Sequence, residues 1–580
     1  MITIQTNPKN SKFIFLQSDI PSEISRLEKH LNLIPQYMML PTFKGVPRPE
    51  VFLDWFRSKR SGNKVYYCLS GLWKEVIDFC EKTGVLIDNQ LDDDFKYNRN
   101  FNLNKEEFRN LIRSWNLNIA PHDYQIDAAW LILKYRFSLS ELATRSGKTL
   151  IMYLVIRAAM EICGIHKTLV IVPSIQLVKQ GASDLQEYGK FFEPEQIWAK
   201  GEQIIGSNLT IGTFQSLVKR SDEESDKYDP KFFWDYDMVI VDEAHKLPCK
   251  SIRQILDCFE SNLKLKFGFT GTLPKPNTIE WYACQAMMGP KIQTIRAIDL
   301  IEDGFLAEPY IKQIRLRYDD SDEKLLDTKI MCGEYLCSYF KLGPKSKNKI
   351  PLPRKDFTIQ YEKILPTVLI LARRLYYDKG DKEKYWGVIL NLLKESTKVL
   401  DLEQMLVHRS KGRLDVIGRI IQSENGNGII FAHHTEYINH LIGFLKELFP
   451  DKTVHKITGG TNLKKRQETL NKMLESDNNI LVGSYGCVST GLTFKNVSYG
   501  ILAQSFKSDI INKQSLGRLM LRNEFKVSFN IYDLVDVFLE TKRIYRHGLE
   551  RIRTYDSEGF QNEVINKDVE YSHKKSDVIP

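Results

Sequence analysis

The sequence predicts an α/β protein with two tandem parallel-sheet lobes, a small N-terminal α/β module and a mostly helical insertion. Three observations carry that prediction. Short β-branched runs alternate with helical stretches from Pro121 to about Tyr310, the signature of a doubly wound lobe. The same alternation returns in the C-terminal part, between Gly428 and Asp533. Between them, residues 318–405 show little strand alternation and hold the Lys/Pro segment Lys341–Lys355 and helical runs such as Ile364–Tyr377.

The first hundred residues read as the small module. An apolar strand-like run, Val65 to Leu69, precedes Leu72, Val76, Phe79 and Cys80 at helical spacing, and Gly84 stands where a helix would stop. A second amphipathic turn, Phe108, Leu111, Ile112 and Trp115, leads into the first lobe, assigned to residues 101–317. Its buried strands are expected at Leu169–Val172, Leu209–Gly212, Met238–Val241 and Leu265–Phe269. The run Ser221–Asp229 reads as a charged surface loop. After the 318–405 insertion, the second lobe takes residues 406–580. Its strands are expected at Gly428–Ala432, Val454–Ile457, Ile480–Gly483, Tyr499–Ala503 and Phe529–Asp533.

Composition narrows the class. A chain of 580 residues with 42% hydrophobic residues is globular and exceeds one ordinary core. The charge of +9, from 82 Lys+Arg against 73 Asp+Glu, permits a polyanionic partner without requiring one. No stretch approaches the roughly 18–20 apolar residues of a membrane span, and Met1–Phe15 lacks the order of a signal peptide. The nine cysteines form no CxxC pair, and Cys332 with Cys337 lacks a second pair to make a zinc site. A reduced, cytoplasmic setting is expected.

The chemistry begins at Leu142-Ala143-Thr144-Arg145-Ser146-Gly147-Lys148-Thr149, which follows a polar segment and opens the helical stretch Leu150–Ile162. In that setting backbone N–H groups cradle phosphates. Lys148 is placed to contact the β and γ phosphates of ATP and the Thr149 hydroxyl to bind Mg2+, with Thr144, Arg145, Ser146 and Gly147 lining the nucleotide. The strict pattern has Gly at 142, where Leu stands, so the match is partial. About 90 residues on, Met238-Val239-Ile240-Val241-Asp242-Glu243-Ala244-His245 supplies the other half. An apolar strand there delivers two adjacent carboxylates to its C-terminal edge, where open α/β sheets bind ligands. Asp242 is suited to hold Mg2+, and Glu243 to orient or deprotonate the attacking water.

With these motifs in this order the chain resembles the superfamily 2 helicases, whose two lobes are RecA-like. The resemblance implies further roles. Tyr124-Gln125 matches the position of the adenine-reading glutamine, and His245 is placed with the nucleotide. Val172-Pro173 with Gln180 looks like motif Ia and Gly212-Thr213-Phe214-Gln215 like motif Ib, so Pro173, Gln180, Thr213 and Gln215 are expected to face the nucleic-acid backbone. Phe269-Thr270-Gly271-Thr272 resembles motif III. Ser489-Thr490-Gly491 resembles motif V, with Thr490 toward nucleic acid and Gly491 toward nucleotide, although Thr493 replaces the usual acid. Gln514-Ser515-Leu516-Gly517-Arg518-Leu519-Met520-Leu521-Arg522 fits the QxxGRxxR of motif VI. Gln514 is assigned to the nucleotide. Arg518 and Arg522, four apart on one helical face, are expected to act as arginine fingers.

Within the superfamily the likeness runs to the phage UvsW-type DNA helicases over roughly residues 60–580. It rests on Ser484-Tyr485-Gly486, Ser489-Thr490-Gly491, Lys507-Ser508 and Arg546-His547-Gly548-Leu549-Glu550-Arg551-Ile552 followed by Tyr555. Residues 318–405 depart from it. The family implies an ATP-dependent DNA helicase or translocase acting on branched or forked DNA in recombination, replication or repair; for the chain itself a monomer is expected. An RNA helicase and an ATP-gated clamp remain open on the same residues. A phage packaging motor would need a nuclease's spaced carboxylates in place of QxxGRxxR. The N-terminal module, with Lys59, Arg60 and Lys64 in one loop, is read either as the element engaging a fork or as a cap on the first lobe. On the first reading, a chain beginning near Asn102 stays folded and loses only branched substrates.

Overall fold

The computed structural model describes residues 1–6, 12–35, 49–58, 64–198, 201–202, 208–259, 263–318, 410–488, 496–504, 509–522, 526–537 and 543–569. They form two compact units, Met1–Leu300 and Ile301–Pro580. The expected insertion lies outside the described residues from 319 onward, as do Lys59, Arg60, Thr490, Gly491, Lys507 and Ser508.

In the first unit, the module is a five-stranded mixed sheet of β1 (Ile2–Thr6), β2 (Phe13–Ser18), β3 (Leu53–Arg57), β4 (Lys64–Leu69) and β5 (Ile87–Gln90), in the order β3-β4-β2-β1-β5. Alternation sends Ile2, Ile4, Ile14, Leu16, Leu53 and Cys68 to one face. Against that face pack the helices Pro21–Leu31 and Trp73–Thr83, the second ended by Gly84 at φ +69°.

The eight-stranded sheet that follows comprises β6 (Phe137–Leu142), β7 (Thr168–Val172), β8 (Glu195–Trp198), β9 (Gly201–Glu202), β10 (Leu209–Thr213), β11 (Met238–Asp242), β12 (Leu265–Thr270) and β13 (Lys291–Ile295). Its order is β13-β6-β12-β11-β7-β10-β8-β9, parallel except for the β8–β9 pair. The "polar segment" before the phosphate loop is therefore the strand β6, whose Ser138 and Ser140 are fully buried. Small hydroxyls can occupy a buried strand, so polarity alone misread it.

Module and first lobe share one hydrophobic core, running from Ile2 and Ile14 through Leu72 and Phe79 to Trp281, Tyr282 and Met288. Gly71 packs so closely on the helix Ile279–Met288 that an added Cβ would stand 2.0 Å from the Gln285 carbonyl oxygen. Polar contacts complete the joint. Glu75 accepts from Trp281 Nε1 at 3.3 Å and Gln285 Nε2 at 3.0 Å, and lies 3.2 Å from His30 Nε2. Burial raises the Glu75 carboxyl, but these partners hold it below its ordinary value.

The second unit holds a seven-stranded parallel sheet in the order β16-β17-β15-β18-β19-β14-β20. Its strands are β14 (Glu308–Tyr318), β15 (Gly428–Ala432), β16 (Thr453–Ile457), β17 (Asn479–Ser484), β18 (Tyr499–Leu502), β19 (Ser528–Val537) and β20 (Asn562–Val569). The sequence-based boundary at residue 317 gave β14 to the first lobe. The structure pairs it with β19 and β20 instead. Nothing local in an apolar strand states which sheet it will join.

Two buried ion pairs fasten this lobe. Asp533 and Asp536, three apart on β19, point to opposite faces. Asp533 takes a forked contact from Arg551 (Nη2–Oδ1 2.7 Å, Nε–Oδ2 3.0 Å), with Tyr555 and Gln313 on its remaining lone pairs. The C-terminal run Arg546–Ile552 and Tyr555 thus serves packing of the helix Arg543–Glu558 on β19, and Gly548 allows that approach. On the other face Arg413 Nε meets Asp536 Oδ1 at 2.8 Å and its Nη2 donates to Ala503 O, while Tyr318 OH donates to the same carboxylate. Both side chains of this pair are buried. Arg413→Ala is expected to destabilise the lobe by about 3–5 kcal/mol, because it leaves a buried carboxylate without its counter-ion. Urea denaturation followed by far-ultraviolet circular dichroism should show the midpoint fall.

Candidate ATP site and nucleic-acid face

Strands β6, β12 and β11 are neighbours, so their C-terminal ends bring three motifs together. From β6 the chain turns through Ala143–Gly147 into the helix Lys148–Ile162. Leu142, where a glycine was wanted, is the buried last residue of β6, so the loop starts one residue later. Arg145 (φ +75°) and Gly147 (φ +78°) are left-handed. A Cβ on Gly147 would lie 2.0 Å from Gln125 Nε2. Among the described residues, the buried Ser146 Oγ has no hydrogen-bond partner.

Lys148 Nζ reaches both carboxylates at the end of β11, 2.5 Å from Asp242 Oδ1 and 3.2 Å from Glu243 Oε1. Burial would lower the Lys148 ammonium, but the two carboxylates hold it above its ordinary value. For Glu243, burial is outweighed by the Lys148 charge and by His245, which keep it well below the usual carboxylate range. Asp242 is raised by burial despite Lys148. Glu243 sits at φ +56°, a left-handed conformation that is strained for a residue with a side chain. His245 Nδ1 lies 3.3 Å from Glu243 Oε2 and 2.9 Å from Thr270 Oγ1, linking the Glu243 carboxylate to the end of β12.

Gln125, expected at the adenine, lies behind the phosphate loop. It is buried, its Nε2 donates to Ser146 O at 3.0 Å, and its Oε1 accepts from His122 N at 2.9 Å. Tyr124 OH donates to the same Ser146 carbonyl. Here both side chains brace the phosphate loop, a role that sequence order could not show. Thr144 lies alongside Gly271 and Thr149 is half-buried.

Of the expected nucleic-acid residues, Pro173, Thr213 and Gln215 gather at adjacent strand ends, since β7 and β10 pair in parallel with Thr213 opposite Val172, while Gln180 lies within the helix Ile175–Tyr188. Gln215 Nε2 donates to Pro173 O at 3.3 Å, tying motifs Ia and Ib. The Thr213 hydroxyl caps its own helix at Ser216 N. Gln180 hydrogen-bonds Asp184, whose carboxyl burial pushes up to about 6.

In the second unit Arg518 occupies the last turn of the helix Asp509–Leu519, which also carries Gln514. Arg522 does not share that helical face. The helix stops at Leu519, Leu521 bridges to Leu306, and Arg522 Nη1 donates to Gly304 O at 2.9 Å. A strand contact from the segment before β14 ends the helix early, so the i,i+4 spacing overstated the alignment.

A phosphate loop pinned to a strand-end carboxylate pair, followed by a second parallel-sheet lobe with a GRxxR segment, is the arrangement of a nucleic-acid-dependent ATPase. Residues 118–275 match the family described as type III restriction enzyme, res subunit, and residues 412–521 the helicase conserved C-terminal domain. The chain is similar to the ATP-dependent DNA helicase uvsW of Enterobacteria phage T4, 27% identical over 528 residues, covering 84% of this chain and 86% of that protein. It is also similar to the DNA 3'-5' helicase XPB of Mycobacterium tuberculosis, 27% identical over 32% of each. Among solved structures, T4 UvsW aligns over 98% of this chain and 99% of its own, at 20% identity and a TM-score of 0.41. No helix among the described residues is long and apolar enough to cross a membrane.

Proposed function

We propose that this chain is an ATP-dependent DNA helicase or translocase that remodels branched DNA in recombination, replication or repair. The observation that carries the ATPase half is Lys148 held on both Asp242 and Glu243. The similarity to uvsW along most of both chains supports the DNA half.

The donor set suits Mg2+. The Thr149 hydroxyl and the Asp242 carboxylate are hard oxygen ligands, and Lys148 now places a positive charge against that carboxylate. When bound, Mg2+ neutralises phosphate charge and orients the phosphate oxygens. Lys148 would exchange carboxylate for phosphate contacts, and the helix N-terminus behind it presents backbone N–H groups. Glu243, kept ionised, would take the proton of the attacking water. In the second lobe Arg518 and Arg522 are the cations assigned to the γ-phosphate. Arg518→Ala is expected to lower ATP turnover by about 10³-fold, with nucleotide affinity little changed, because a finger acts on charge that develops in the transition state. Steady-state kinetics beside a nucleotide-binding titration separate the two.

The deciding experiment compares ATP hydrolysis with single-stranded DNA, duplex DNA, a four-way junction and RNA at one salt concentration. Stimulation by DNA, greatest with the junction, is the expected result. Stimulation by RNA alone would replace the DNA reading. Binding is expected to be sequence-independent and to weaken steeply with salt, as phosphate contacts release counter-ions.

A further inference from the structure

The second lobe's sheet ends in an open strand. β20 lies last in the strand order, bonded on one side to β14, and among the described residues no strand meets its other side. Neither face of its middle is covered: Glu563 and Asn566 are exposed, and Val564 and Ile565 are exposed by 40% and 38%. The register fixes which backbone groups point outward. Ile311 stands opposite Asn562 and its N–H donates to Gln561 O, so Glu563, Ile565 and Lys567 turn their backbone groups to β14. Asn562, Val564, Asn566 and Asp568 turn theirs away from it. Natural edges are commonly blunted by lysines, proline or a bulge. β20 has no proline, its ladder with β14 runs without a bulge, and its charges are of both signs.

We infer that this edge pairs with the same edge of a second copy of the chain, the two β20 strands running antiparallel about a two-fold axis at Ile565. Self-complementarity identifies the occupant. Outward backbone groups must meet outward groups, which restricts the register to alternate steps. In the register centred on Ile565, Val564 bonds to Asn566 of the second copy and Asn562 to its Asp568, so every outward group of the strand is used. Glu563 then stands opposite Lys567 of the second copy, twice by symmetry, and Ile565 stands opposite itself. These are the non-hydrogen-bonded pairs, where facing side chains come closest. The next register on one side sets Glu563 against Ile565, and on the other Ile565 against Lys567; both lose the two charge pairs. The charges nearby are compatible. On β14, Lys312 stands beside Glu563 and Leu316 beside Lys567, and Arg317 pairs with Asp568 at 3.4 Å. One strand pair is a small interface, so the dimer is weak and depends on concentration. Because the contact is isologous it closes at two copies. The pairing uses no residue of the ATP site and stands apart from the helicase reading.

Sedimentation equilibrium of the full chain, from low to high micromolar concentration, should show the mass rise from monomer toward dimer. Glu563→Lys sets lysines opposite one another, and Lys567→Glu sets glutamates opposite one another. Each alone should weaken the dimer at least about tenfold, with DNA-free ATP hydrolysis unchanged. An equimolar mixture of the two variants should associate again, because the lysines of one then face the glutamates of the other. The double variant, Glu563→Lys with Lys567→Glu, should pair with itself. Recovery on mixing is a result that neither misfolding nor crowding of Lys312 by Glu563→Lys could produce. A parent chain that stays monomeric throughout, or reversals that leave association unchanged or do not recover on mixing, would overturn the pairing. So would a monomer whose Val564 and Asn566 amides resist hydrogen exchange, since another segment of the same chain would then hold the edge.

Discussion

Glu243→Gln is expected to lower ATP turnover by about 10²–10⁴-fold, the usual contribution of a positioned general base, while ATP still binds. The amide keeps the size of the carboxylate and can still meet His245, which lies 3.3 Å from Oε2. It cannot accept a proton. Asp242 and Lys148 keep their 2.5 Å contact, so the phosphate loop retains its anchor. Lys148→Ala has a different signature. It removes the cation that bridges Asp242 and Glu243, and those groups must then share a proton or accept mutual repulsion. Nucleotide binding and hydrolysis should then fail together. Single-turnover hydrolysis and a fluorescent-nucleotide titration on both variants distinguish the two patterns, and near-normal turnover in Glu243→Gln would remove Glu243 from the chemistry.

The motifs were legible because their residues are local. A run of apolar residues ending in two carboxylates, or a Gly-Lys-Thr opening a helix, declares strand end and helix start within eight residues. What stayed hidden depends on partners far along the chain. Gln125 braces Ser146, 21 residues on, and Glu75 meets Gln285, 210 residues on. The buried pairs Arg413–Asp536 and Arg551–Asp533 read as ordinary charges in sequence. The boundary at residue 317 put β14 with the first lobe, because nothing local in a strand states which sheet it joins. Arg522 was placed on a helix by spacing that the Leu306–Leu521 bridge interrupts. The Ser138 and Ser140 of β6 hid the strand that launches the phosphate loop.

A chain beginning at Asn102 is expected to aggregate, in place of the folded, junction-blind ATPase that a separable module would leave. The first lobe's helix Ile279–Met288 is buried on the module, with Tyr282 at 0% and Trp281 at 8% exposure. Tyr282 contacts His30 through its hydroxyl at 3.1 Å and Phe52 through its ring at 5.8 Å, and Trp281 donates to Glu75. Baring each such side chain costs about 2 kcal/mol, and several together approach the whole stability of about 5–15 kcal/mol available to a domain. The exposed Lys12–Asp257 pair adds little to the joint; the shared core and the close approach at Gly71 make it. This same helix follows Thr270-Gly271-Thr272, and Lys250–Asp257 follows Glu243 and His245, so both helices behind the catalytic strand ends lose their cover at once. Soluble yield and a thermal melt of the shortened chain provide the measurement. A monodisperse product with a cooperative melt and DNA-stimulated ATP hydrolysis would show the lobe folding without the module, and restoring solubility by co-expressing residues 1–101 would show that the two halves of one core had been parted.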